Sequence, residues 1–285
     1  MDTKEIVVKL LTKASTSVPK DVINSLKKAN SEEDSLVAKM QYKAILENIR
    51  LAGERLNPLC QDTGIHVFYV KLGKYFPQDL KQGIFDGVAE ATKEVPLRPN
   101  AVHPITRKNS GNNIGRFIPY IHYELTDEEY TEITAMPKGA GSENMSALKM
   151  LNPSDGIKGI KKFVIETAFN AGGKPCNPGI IGVGIGGTAD IAAKLSKKAI
   201  LRPVDKLHEE EEIAALEKEL TEKVNSLGIG PMGLGGKKSA LGVRVEYAYC
   251  HTASLPVAIT FQCWAARQAT ARIYPDKVEF LEGGV

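Results

Sequence analysis

The sequence predicts a mixed α+β fold, with a helical N-terminal part packed on a body with mixed β-sheet. Apolar residues recur at helical spacing through the first fifty-odd positions. From Ile65 onward, short runs rich in β-branched and aromatic residues alternate with further helical stretches. The composition agrees: 285 residues, 42% hydrophobic and 25% charged, is ordinary globular chemistry with enough chain for a sizeable core. No internal repeat, low-complexity tract or linker appears, so residues 1–285 are expected to form one domain.

Taken in order, Ile6, Val7, Leu10 and Leu11 make one helical face, and Pro19 starts a second helix carrying Val22, Ile23 and Leu26. Ser31 with Asp34 resembles a capping box. The longer helix it would open places Leu36, Val37, Met40, Ala44 and Ile45 on one face, expected to be core, and runs to about Arg55. Ile65 to Val70 reads as a strand. Pro77 and Asp79 introduce a helix with Leu80, Ile84, Val88 and Ala91 inward, ending near Val95-Pro96. Phe117 to Tyr123 alternates as an edge strand marked by Pro119, with Tyr130 to Ala135 expected as its neighbour. Ile157, Ile160, Val164 and Ala168 define a helix stopped by Gly172-Gly173. Glu209 to Glu212 opens a helix through Leu220 to Gly228, its acidic run facing water at the positive end of the dipole. Val243, Val245, Tyr247 and Tyr249 alternate as a strand, and the alanine-rich stretch from Phe261 to Ala269 reads as helical.

Several function classes are excluded. No apolar run approaches the roughly 20 residues of a spanning helix, and the start, Met1 to Glu5, lacks the order of a signal peptide. The expected location is cytoplasmic. A net charge of +3 from mixed signs argues for neither nucleic acid nor a membrane surface. The four cysteines, at 60, 176, 250 and 263, are too scattered for a disulfide scaffold, and no Cys-x-x-Cys pair suggests a zinc ribbon. Gly182, Gly184 and Gly187 match the dinucleotide fingerprint in spacing, but the expected preceding strand is short and no βαβ pattern begins there. The glycine-rich stretch from Gly228 misses the phosphate-loop pattern because Lys238 stands where Ser or Thr is required.

Chemistry concentrates in a few loops. Pro58 to Gly64 puts a thiol, an amide, a carboxylate and a hydroxyl on the consecutive residues Cys60, Gln61, Asp62 and Thr63. A helix-to-strand loop of this kind suits catalysis or metal binding; it equally suits a plain turn, with Asp62 bonded to the backbone and Cys60 a small hydrophobe. Arg98 and Arg107 flank a polar loop where a guanidinium could clamp a carboxylate, or simply face water. Lys138 to Asn144 is a glycine loop entering a short helix, open to an anion or to the reading of a tight connection. Cys176, between two prolines, is expected at a glycine-rich helix start, where amides favour a thiolate.

Five stretches, Cys60 to Gly64, Arg98 to Pro104, Lys138 to Asn144, Pro175 to Pro178 and Cys263 to Arg267, together resemble the class I, iron–sulfur fumarate hydratase and L-tartrate dehydratase family, specifically its α subunit. The order is the family's, and the match covers nearly the whole chain. The resemblance implies a [4Fe–4S] cluster held by Cys60, Cys176 and Cys263, with one iron left open as a Lewis acid. It places Gln61, Arg98 and the amide around Gly141 on a substrate carboxylate. It gives Asp62 the proton exchange with the leaving hydroxyl and His251 the task of positioning or protonating Asp62. Cys250 lies outside the matched motifs as a structural thiol.

The family's second half supplies further arginines, a lysine and a threonine. This chain is therefore expected to work with a β subunit, in an α2β2 assembly, on a small dicarboxylate, interconverting fumarate and (S)-malate as in the tricarboxylic acid cycle. L-tartrate dehydratase and a mesaconate-type hydratase are the alternatives within the class. A non-catalytic cluster-carrying or anion-binding subunit, and a zinc hydrolase using Cys and His, are alternatives outside it.

Overall fold

The computed structural model describes residues 2–281. In chain order the helices are α1 (Thr3–Thr16), α2 (Lys20–Glu32), α3 (Leu36–Arg55), α4 (Leu80–Glu94), α5 (Ala140–Glu143), α6 (Gly156–Ala171), α7 (Ala189–Ala199) and α8 (Glu211–Asn225). The strands are β1 (Ile65–Leu72), β2 (Tyr120–Leu125), β3 (Thr131–Lys138), β4 (Ala147–Leu151), β5 (Gly179–Gly186), β6 (Ala240–Ala248), β7 (Leu255–Gln262), β8 (Ala269–Ile273) and β9 (Val278–Phe280). The fold is mixed α+β, as the patterning predicts. The chain forms two compact units, one of residues 2–20, 47–140 and 267–281, the other of 21–46 and 141–266.

The first unit is built on a five-stranded sheet in the order β2-β1-β3-β8-β9. β1 and β2 are parallel and the remaining pairs antiparallel. Strand alternation sends Phe68, Val70, Ile133, Ala135, Ala269, Ala271 and Ile273 to one face, where they form a core with Ile6, Leu10, Ile84, Val88 and Ala91 of α1 and α4. Asp2 caps α1 by accepting the Glu5 N–H at 2.8 Å. The opposite face is polar: Glu132 takes Lys71 at 2.8 Å and Arg272 at 2.9 Å, and Thr134 and Thr270 share a hydrogen bond of 2.9 Å.

The second unit holds a four-stranded sheet, β4-β7-β5-β6, in which only β5 and β6 are parallel. Ile181 and Val183 of β5 join a core with Ile160 and Val164 of α6 and Leu216, Leu220 and Val224 of α8. The alternate residues, Gly182 and Gly184, meet α7: a Cβ on either would stand 2.0 Å from the carbonyl oxygen of Ser196 or Ala192. Those glycines are close-packing residues of a strand. They do not form a nucleotide loop, and the eight-residue β5, longer than the sequence suggested, is the physical reason the fingerprint fails. Glu217, fully buried, is satisfied by Arg202 at 2.6 Å and the amides of Val245 and His208.

Five expectations need correction. The cap of α3 is Ser35, whose Oγ accepts the Ala38 N–H at 3.4 Å, while Ser31 lies inside α2 and bonds back to the Lys28 carbonyl. The face expected to be core on α3 is partly turned outward: Leu36 is 78% and Met40 66% exposed, while Ala38, Tyr42 and Ile45 are buried. β3 neighbours β1 and β8, not β2, because β1 inserts between them. Cys176 precedes strand β5 and does not begin a helix. The stretch from Phe261 to Ala269 is the end of β7, a loop and the start of β8; its buried alanines fit a sheet interior as well as a helix face.

The tight β5–α7 approach yields a direct test. Gly184→Ala forces a methyl against the Ala192 carbonyl, and overpacking of this kind costs about 1–3 kcal/mol. A melting temperature lowered by several degrees is expected, whereas Ile185→Val should cost at most about 1.5 kcal/mol.

Candidate functional site

Within the first unit the loop after α3 is held in one place by the carboxylate of Asp62. Its Oδ1 accepts the Gly64 N–H at 3.0 Å and the Asn100 amide at 3.3 Å, and its Oδ2 accepts the Ala140 N–H at 2.8 Å. Gly64 has φ +85°, the left-handed region that a side chain resists, so this turn into β1 depends on glycine. Thr63 is buried and donates to the Arg98 carbonyl at 3.2 Å, which also accepts the Asn113 amide at 3.1 Å. Cys60, Gln61 and the Arg98 side chain remain exposed. The guanidinium of Arg98 has no ion pair among the described residues. The structure thus brings Gln61, Asp62 and Arg98 to one loop cluster, beside Cys60.

Two buried groups given no role in the sequence reading complete this cluster. Arg267, 3% exposed, donates from Nη1 to the Asp62 carbonyl oxygen. His66 follows the loop on β1, fully buried, with neither ring nitrogen hydrogen-bonded among the described residues. Burial, and secondarily the Arg267 charge, pushes its pKa down to about 4. Arg267 closes the last matched motif and was legible as a residue; its burial beside Asp62 was not.

In the second unit, antiparallel pairing of β5 and β7 sets Ile180 opposite Gln262, so Cys176 and Cys263 lie at the same end of the sheet. Their loops touch: the Trp264 N–H donates to the Cys176 carbonyl at 3.1 Å. A Cβ on Gly179 would stand 1.8 Å from the Gln262 oxygen, so only glycine admits this approach. Cys176 itself has φ +59°. Gly141 is adjacent, its missing Cβ 3.4 Å from the Lys174 carbonyl. His251 lies in the β6–β7 turn, where its Nδ1 accepts the Ala253 N–H at 3.1 Å and leaves Nε2 exposed. Cys250 donates to the Ser254 carbonyl at 3.3 Å. The length of β7, about 25 Å for eight extended residues, separates that turn from Cys263.

A family model described as "Fumarate hydratase (Fumerase)" matches residues 4–272. The chain is 54% identical over 282 residues to a protein of Methanocaldococcus jannaschii named "Putative L(+)-tartrate dehydratase subunit alpha", covering 97% of this chain and 99% of that one. It is 38% identical over 275 residues to the "L(+)-tartrate dehydratase subunit alpha" of Escherichia coli strains K12 and UTI89, covering 95% of this chain and 91% of each relative. The chain belongs to the fumarate hydratase family.

The donor chemistry of this family member fits an iron–sulfur centre. All four cysteines are free thiols, and those of Cys60, Cys176 and Cys263 are at least partly exposed. Two of them stand on touching loops. Within either unit no three Cys, His, Asp or Glu side chains are already grouped as a metal site among the described residues. No helix is long and apolar enough to cross a membrane, among the described residues.

The buried imidazole sets a pH dependence. His66 resists protonation in the folded chain to about pH 4 but takes a proton near its ordinary 6.5 when unfolded. Its contribution is therefore intact above pH 6.5 and is lost as pH falls towards 4, by up to about 3 kcal/mol. His66→Leu should flatten the fall in melting temperature between pH 6.5 and 4.5 relative to wild type.

Proposed function

We propose that the chain is the α subunit of an iron–sulfur hydro-lyase that adds water to, or removes it from, a four-carbon dicarboxylate, interconverting fumarate and (S)-malate. The observation that carries this reading is the Asp62 carboxylate, fixed by two backbone amides and Asn100 two residues after an exposed thiol. A carboxylate held in one orientation beside a metal-binding group suits proton transfer to a leaving hydroxyl. A plain turn needs only the bond to Gly64; the bonds to Asn100 and Ala140 fix the carboxylate beyond that requirement.

Cys60, Cys176 and Cys263 would hold a [4Fe–4S] cluster, which supplies a Lewis-acidic iron to a departing hydroxyl. Gln61, Arg98 and the amides at Gly141 bind and orient the substrate carboxylates; the exposed Arg98 guanidinium, without an ion pair among the described residues, suits bidentate binding. Asp62 gives its proton to the hydroxyl as the carbon–oxygen bond breaks and takes one back in the hydration direction. His251 is the proposed proton partner of Asp62. The β subunit supplies the group that removes the carbon-bound proton, and the complex is cytoplasmic.

L-tartrate is the second reading, favoured by the names of the relatives. Coexpression with the β subunit and anaerobic assay on (S)-malate and L-tartrate decides it: the larger kcat/KM identifies the substrate. The α chain alone should show no turnover, and full activity without its partner would overturn the two-subunit reading.

Anaerobic reconstitution tests the ligand set. Serine at Cys60, Cys176 or Cys263 should abolish iron and sulfide incorporation, while Cys250→Ser keeps it. Loss with Cys250→Ser and retention with Cys263→Ser would exchange the two assignments.

In the reconstituted complex, Asp62→Asn keeps the shape and cannot release a proton. A loss of about 10²–10⁴ in kcat is expected with cluster content unchanged. His251→Asn should lose less. Since its turn lies a strand's length from Cys263, an unchanged kcat in that variant would remove His251 from the reaction.

A further inference from the structure

Gly139 marks a point that two side chains approach from different segments. A Cβ built there would stand 2.8 Å from Nη2 of Arg267 and 3.2 Å from Oδ2 of Asp62, so the guanidinium and the carboxylate approach one point that only a missing side chain leaves open. The same guanidinium donates through Nη1 to the Asp62 main-chain carbonyl. Arg267 is buried and has no carboxylate in an ion pair among the described residues, an arrangement costly for a cation unless the fold uses its charge. Beside it lies His66, whose ring nitrogens have no hydrogen-bond partners among the described residues and whose neutral form suits a neighbouring cation. β1 carries His66 and β8 begins two residues after Arg267, so two strands of one sheet, β1 and β8, with β3 between them, fix the group.

We propose that Arg267 is the positioning residue of the Asp62 loop: it clamps the Asp62 main chain through the carbonyl and, across Gly139, holds the carboxylate in the orientation from which it acts. This rests on the hydro-lyase reading for its catalytic consequence but not for its geometry. Arginine suits the task because one rigid planar fork serves both the carbonyl and the carboxylate side. Lysine, a single-point donor, can keep the charge but not the planar fork. A methyl at Gly139 crowds both side chains while leaving each of them in place in the sequence.

The test uses Arg267→Gln, Arg267→Lys and Gly139→Ala, first in the α chain by NMR and then in the α–β complex. The Gly64 and Ala140 amides, both bonded to the Asp62 carboxylate, should shift in Arg267→Gln and Gly139→Ala, and Arg267→Lys should restore them in part. The His66 imidazole should titrate at higher pH in Arg267→Gln than in wild type, since a neighbouring positive charge has gone. In the complex, both non-conservative variants should lower kcat by 10-fold or more with KM within about threefold, and the lysine variant should recover part of kcat. Unmoved amide signals together with an unmoved His66 titration would overturn the clamp, whatever the activity. Amides that shift while kcat stays at the wild-type value would overturn its functional consequence. If the complex turns over neither malate nor tartrate, the hydro-lyase reading falls, and the amide and imidazole signals still decide the clamp. Should Arg267→Gln fail to fold, Gly139→Ala, which retains the guanidinium, carries the Gly64 amide and kcat readouts.

Discussion

The carboxylate of Asp62 is the point on which the first unit's loops converge. Its oxygens tie the turn into β1, the Asn100 segment and the entry to α5, and its carbonyl receives Arg267 from the end of the chain. These segments are far apart in sequence, so none of them fixes its own conformation by local propensity. Each backbone N–H that Asp62 accepts is a group that would otherwise need water or another partner. An acidic side chain with most of its lone pairs occupied by fixed donors has little freedom left, and preorganisation of that kind is what proton transfer requires.

Missing side chains impose the complementary constraint. Gly179, Gly182 and Gly184 let β5 touch the end of β7 on one side and the α7 backbone along its length. The two cysteine loops are neighbours because strands β5 and β7 run antiparallel and because Gly179 admits the Gln262 carbonyl. Buried charge is handled the same way in both units: Glu132 and Glu217 each sit among donors supplied by neighbouring strands or helices. Neither would be tolerated without those partners.

Sequence periodicity was a good guide where an element has one buried face. α1, α4, α6 and α8 and strands β1 and β6 lie at or near their expected places because apolar spacing records a single partner surface. It failed where the same composition serves two geometries. The alanines from Ala265 to Ala269 are small enough for a helix face or a sheet interior, and only the pairing of β7 and β8 with their neighbours selects the second. On α3, helical spacing showed an apolar stripe but not which part of it is covered, and Leu36 and Met40 stand exposed. The four-residue α5 and short β4 carried too few residues to show a period.

By itself the sequence determined the chemistry available: the thiols at Cys60, Cys176 and Cys263, the Asp62 carboxylate, the Arg98 guanidinium and the glycine loops around them. Those are properties of residue types in short, ordered motifs, and they do not depend on how distant segments meet. Tertiary structure alone decided which groups share a neighbourhood. It set Arg267 against Asp62 across Gly139, buried His66 as a neutral base, joined the Cys176 and Cys263 loops, and placed His251 at the other end of β7. Strand order and register fix these relations. They arise from pairings between residues as much as two hundred positions apart, which local propensity does not encode.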